Sequence, residues 1–127
     1  MSAELALQGA IFSALSSTHT VYDRVPDEKD VVFPYVHFRS FQTVDDGADC
    51  VDGVEVFADI DVWSVAVGKP EASTVAGQVR AALHEANLDL GPDYRLISLL
   101  HRSTNIDADR DTLTRARMTF VALIDRV

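Results

Sequence analysis

Apolar residues recur at four-residue steps at Leu7, Ile11 and Leu15, with Leu5 and Phe12 beside them. This spacing predicts a helix over 3–15 that stops in the polar cluster Ser16-Ser17-Thr18. Residues 21–25 read as a short extended piece, and the proline and clustered charges of 26–30 as a loop. Pro34 opens a strand over 35–44, in which Val36, Phe38 and Ser40 alternate with Tyr35, His37, Arg39 and Phe41. The stretch 45–53, DDGADCVDG, is too polar and glycine-punctuated to pack, and reads as a long hairpin loop. The strand over 54–65, VEVFADIDVWSV, follows. One face, Val54, Val56, Ala58, Ile60 and Val62, is uninterrupted apolar, whereas the other carries Glu55, Phe57, Asp59, Asp61, Trp63 and Val65. Pro70 and Glu71 suit the first turn of a second helix over 70–86, with Val75, Val79 and Leu83 as its apolar stripe. A strand over 94–103, a polar loop over 104–111 and a closing strand over 113–125 complete the pattern. In the closing strand Ala116, Met118, Phe120, Ala122 and Ile124 share one face, and Arg115, Arg117, Thr119, Val121 and Leu123 the other.

The predicted order is α-(β)-β-β-α-β-β within one domain spanning 1–127. This is an α+β fold: an antiparallel sheet of about four strands with two helices packed on one face. The opposite sheet face then carries Phe57, Asp59, Asp61, Trp63, Arg115, Arg117, Val121 and Leu123. A solvated strand face does not ordinarily show water a Phe and a Trp beside carboxylates. Its mixed character is that of an association surface, so Phe57, Asp59, Asp61, Trp63, Arg115 and Arg117 are the candidate subunit-interface residues.

Charge sharpens this picture. The 127 residues carry a net charge of -9, which argues against a nucleic-acid binder, since little here would displace counterions from phosphates. Residues 40–68 hold seven acids and no Lys or Arg, whereas six arginines follow from Arg95 onward. Two readings stand: a solvated acidic loop, or two complementary patches that bring copies together. A single cysteine, Cys50, leaves no internal disulfide framework. The opening MSAELALQGAIFSAL lacks a basic segment and no apolar run approaches membrane-spanning length, so a soluble intracellular protein without membrane contact is expected.

Candidate chemistry is sparse. His19, His37, His84 and His101 fall on four different elements without ligand spacing. Asp59 and Asp61, two apart on a strand, point to one side and suit either a divalent cation or acid–base work. The competing reading pairs them with Arg115 and Arg117 on a neighbouring strand or subunit, and it is favoured because no histidine, nucleophile elbow or phosphate loop accompanies them. No catalytic residue, metal ligand or cofactor is assigned.

Taken in order, LQGAIFSAL, VYDRVP, FPYVHF, DIDVWS, VAGQVRAALHEA, YRLISLLHRS and TRARMTFVALI resemble the small tail-completion, or tail-terminator, proteins of long-tailed phages and gene transfer agents. The resemblance spans Leu7 to Ile124. It implies a non-enzymatic virion subunit that assembles, usually as a hexameric ring, at the head-proximal end of the tail tube, ending tube growth and joining it to the neck and head. The implied partners are further copies of itself, the tail-tube protein and a neck or stopper protein, with DNA passing through the lumen without specific binding. The resemblance also makes the loop acids Asp45, Asp46, Asp49 and Asp52 candidate contacts to partner proteins. Assembly would take place in the bacterial host cytoplasm. A stopper or other head–tail joining protein is the alternative within this class. A divalent-metal module or enzyme using Asp59 and Asp61 is the alternative from another.

Overall fold

The computed structural model describes residues 2–45, 53–110 and 112–127. Helix α1 (Ala3–Leu15) matches the span that the four-residue periodicity predicts, and buries Leu7, Ile11 and Leu15 completely. Ser2 caps it, its Oγ accepting the Leu5 N–H at 3.2 Å and satisfying one of the donors that a helix start leaves free. Ser2→Ala is expected to lower stability by about 1 kcal/mol, read as a shift in denaturation midpoint.

Strand β1 (Thr20–Tyr22) follows, then β2 (Tyr35–Asp45) and β3 (Gly53–Ser64), helix α2 (Pro70–Leu83), and β4 (Tyr94–Arg110) and β5 (Leu113–Arg126). The sheet order is β1-β2-β3-β5-β4. The predicted α+β class holds, with two differences. Among the described residues the sheet has five strands, and β1 joins it parallel to β2, so the sheet is mixed where an antiparallel one was expected. The segment 104–111, expected to be a polar loop, is instead strand as far as Arg110, paired to β5 down to Arg110 against Leu113. Its residues look loop-like because this part of β4 is solvated: Asn105, Asp107, Ala108, Asp109 and Arg110 are exposed.

Both helices cover one sheet face. There Val56, Ala58, Ile60 and Val62 of β3 meet Ala116, Met118, Phe120, Ala122 and Ile124 of β5, all fully buried, beneath Leu7, Ile11 and Leu15 of α1 and Ala72, Val79 and Leu83 of α2. Removing this apolar area from water is the main driving term for the fold. His19 Nε2 and Gln78 Oε1, 2.9 Å apart, tie the end of α1 to α2. Thr43 donates to the Glu4 carboxylate, which ties β2 to the first turn of α1 and, as the largest cause, holds the Glu4 carboxyl below its ordinary range.

Bulges break the simple alternation. Between Phe38 and Ser40 the register of β2 shifts, so Ser40 lies opposite Asp59 and Phe41 opposite Ala58. The expected grouping of Phe41 with Tyr35, His37 and Arg39 is therefore overturned. One extra residue flips every later side chain to the other face, and Phe41 packs against the core with its ring 5.5 Å from that of Phe38. Helix α2 also ends at Leu83, not near residue 86, because His84 is extended and Glu85 turns at φ 60°.

Candidate functional site

The sheet face away from the helices carries neither helix, only residues of the 25–33 segment bordering it at Tyr35 and Trp63, and its side chains form rows across the strands. Nearest the β4–β5 turn lie Tyr35, Trp63, Arg115 and Asp107; next come His37, Asp61, Arg117 and Asn105; further along lie Gln42, Phe57, Val121 and Leu100. The expected interface residues thus share one continuous face. Three strands bring together what the sequence holds more than 50 positions apart, as with Asp61 and Arg115.

Asp61 is the organising residue. It is 1% exposed, yet it is an acid on the outer face. Arg115 donates to its Oδ2 from Nε at 3.1 Å and Nη2 at 2.9 Å, and Arg39 donates from Nε to Oδ1 at 3.1 Å. Charge-assisted contacts of this kind are among the stronger polar contacts in proteins. Asp59 accepts from Thr119 Oγ1 at 2.8 Å and lies 3.8 Å from Arg39. The pairing of Asp61 with Arg115 that the sequence suggested is present within one chain. Arg117 behaves differently and reaches Asp107 at 3.3 Å. Arg39 is the functional residue that was not picked out from the sequence: it shares the Tyr35 and His37 alternation, is the inserted residue of the β2 bulge, and reaches both carboxylates.

At one end of this network Trp63 stacks on Tyr35 at 6.5 Å, and the Arg115 guanidinium sits 5.1 Å above the indole. Tyr22 and Phe33 close on Tyr35 at 5.3 and 5.1 Å. Burial is the chief reason the Tyr35 hydroxyl is pushed above its ordinary pKa, with Tyr22 and Asp61 adding to it. A groove of about 490 Å³ opens here, floored by Tyr35 and Trp63 and walled by Pro26 and Leu113. At the other end Phe57, Val121 and Leu123 are half-buried and Leu100 is 42% exposed.

This face presents aromatic, aliphatic and ion-paired side chains side by side. Both oxygens of Asp61 and Oδ1 of Asp59 are engaged by arginine and threonine donors, and among the described residues no group of three or more His, Cys, Asp or Glu side chains is placed to hold a metal ion. Every buried side-chain nitrogen or oxygen among the described residues has a hydrogen-bond partner. Of the candidate contact loop, Asp46, Asp49 and Asp52 lie outside the described residues, as does Cys50. No described helix is long and apolar enough to cross a membrane.

Fold and face together define a two-layer α+β subunit whose distinctive feature is an uncovered, ion-paired and aromatic sheet surface. Over residues 3–125 the sequence matches the family described as Tail completion protein gp17, and the chain belongs to that family. It is therefore a structural protein of phage-type tails, a class that is not enzymatic. Among solved structures, a chain described as "Virion of native gene transfer agent (GTA) particle" matches with a TM-score of 0.85 at 24% identity, covering 98% of this chain and 99% of that one. At that identity the likeness shows a shared fold. No curated protein matches.

Proposed function

We propose that copies of this protein close into a ring at the head-proximal end of a tail tube, ending tube growth and joining the tube to the neck. The uncovered sheet face carries this reading. Trp63 and Phe57 are its aromatic anchors, Asp59 and Asp61 hold Arg39 and Arg115 in place, and Arg117 with Asp107 lies at its rim. Aromatic and arginine side chains are the types that most often dominate interface energy. The acidic residues Asp45, Asp46, Asp49 and Asp52 contact the tube or neck protein. A net charge of -9 keeps DNA from adhering as it passes through the lumen.

Mass measurement in solution, alone and with tail-tube protein, tests the assembly. The expected result is a ring-sized species or one that caps tube ends, and a strict monomer under both conditions overturns the proposal. Trp63→Ala is expected to weaken association about 30-fold, the equivalent of about 2 kcal/mol. Leu100→Glu, a change at an exposed position of the same face, should weaken it while leaving the denaturation midpoint nearly unmoved.

A further inference from the structure

We propose that His84 is a proton-controlled latch that fastens the end of α2 to the edge strand β4 while its imidazole is neutral, and releases it when the imidazole is protonated. β4 lies at the edge of the sheet, and such edges expose backbone groups to other chains unless something covers them. Here the residues after α2 provide the cover. His84 Nδ1 is 3.0 Å from the backbone nitrogen of His101, and the Glu85 N–H donates to the Leu99 carbonyl at 2.7 Å. The clamped piece lies between two bulges of β4, at Leu96/Ser98 and His101/Ser103, so the latch grips a segment that is already irregular on both sides.

A backbone N–H can only donate, so Nδ1 of His84 must be unprotonated to take this bond. A proton from solvent that binds the Nδ1 lone pair removes the acceptor and leaves the His101 N–H facing an N–H⁺. The second bond depends on the first. Glu85 reaches Leu99 only by adopting φ 60°, a left-handed conformation that non-glycine residues rarely hold without external contacts. With His84 released, the turn loses its side-chain tie to β4 and keeps only the backbone bonds from Glu85 to Leu99 and from Ala86 to Leu83.

The surroundings set the balance of charge. Arg80 lies one turn earlier on α2, and its charge and that of His84 both act on His101. The Glu85 carboxylate is 4.0 Å from His84 Nε2. β5 supplies only the uncharged Met118, Phe120 and Ala122 to the buried layer there, with the Phe120 ring edge-on to His101 at 5.4 Å. His101 Nε2 is 2.6 Å from Thr104 Oγ1. Burial first, then Arg80 and His84, hold the His101 imidazole below its ordinary pKa. Its contribution to stability is therefore complete above the ordinary histidine range and falls away as pH drops through the lowered value. Acid thus works against this corner through both histidines, and an open latch leaves the Leu99 carbonyl and the His101 N–H free to pair with another strand.

Site-resolved amide hydrogen exchange, corrected for the intrinsic pH dependence of exchange, tests the latch at Glu85 and His101 between pH 7.5 and 5. Protection at both amides is expected to fall about tenfold or more, with a midpoint that coincides with the His84 titration followed by imidazole nitrogen NMR. His84→Ala should lack the protection at every pH, and His101→Gln should keep the pH-dependent loss because its backbone N–H remains. Protection that does not change with pH, a midpoint that does not follow His84, or a pH dependence that disappears in His101→Gln would overturn the proposal.

Discussion

Phe120→Ala is expected to lower the unfolding free energy by about 4 kcal/mol. Among the described residues Phe120 is the largest fully buried side chain. It sits on β5 between β3 and β4, opposite Ala58 on one side and His101 on the other. The neighbours on its face, Ala58 and Ala122, are small, so the ring fills volume that their methyl groups leave. Truncation opens a cavity that cannot collapse, because both flanking backbones are fixed in hydrogen-bonded ladders. Phe120→Leu retains most of the volume and should cost about 1.5 kcal/mol or less. Urea denaturation of the two variants gives both values, and a loss under 2 kcal/mol for the alanine variant would mean that α2 settles onto the gap.

Asp61→Ala is expected to cost about 2–3 kcal/mol. Alanine removes three hydrogen bonds and leaves two guanidinium groups facing each other without their shared carboxylate. The figure lies below that for a fully buried pair because the Arg39 and Arg115 side chains are 37% and 25% exposed and water recovers part of their solvation. Asp59, 3.8 Å from Arg39, recovers a little more. A double variant carrying Asp61→Ala and Arg115→Met should be more stable than Asp61→Ala alone, since it removes the stranded charge and keeps its hydrocarbon. Denaturation midpoints at low and high salt provide the check: added salt should narrow the gap between Asp61→Ala and the parent.

Local physics is what the sequence conveys well. The i, i+4 spacing of Leu7, Ile11 and Leu15 gives α1 its span, and the unbroken apolar face of β3 gives the core layer. The mixed character of its outer face, Phe57 and Trp63 beside Asp59 and Asp61, marks the surface that the structure leaves uncovered. Illegible features depend on partners distant in the chain. Phe41 lies on the core side because a bulge at Arg39 shifts its register, and nothing in the local alternation announces an inserted residue. The stretch Thr104–Arg110 is polar enough to read as loop, yet β5 beside it supplies the ladder that keeps it extended. For the same reason the Arg117–Asp107 contact could not be anticipated, since Asp107 fell in that supposed loop. His84-Glu85-Ala86 has helical propensity, but hydrogen bonds to β4 draw it out of the helix.

The position of β5 has a consequence for how the chain reaches this state. β5 follows β4 in sequence but lies between β3 and β4, pairing Gly53 with Asp125 on one side and Tyr94 with Arg126 on the other. During synthesis β2 and β3 can form their hairpin early, while the far edge of β3 stays unpaired until residues 113–126 leave the ribosome. Contacts this distant in sequence are slow to form, and an unpaired strand of twelve residues in the waiting chain is a site for mispairing with other nascent copies. Folding yield is therefore expected to depend on the rate at which β5 arrives.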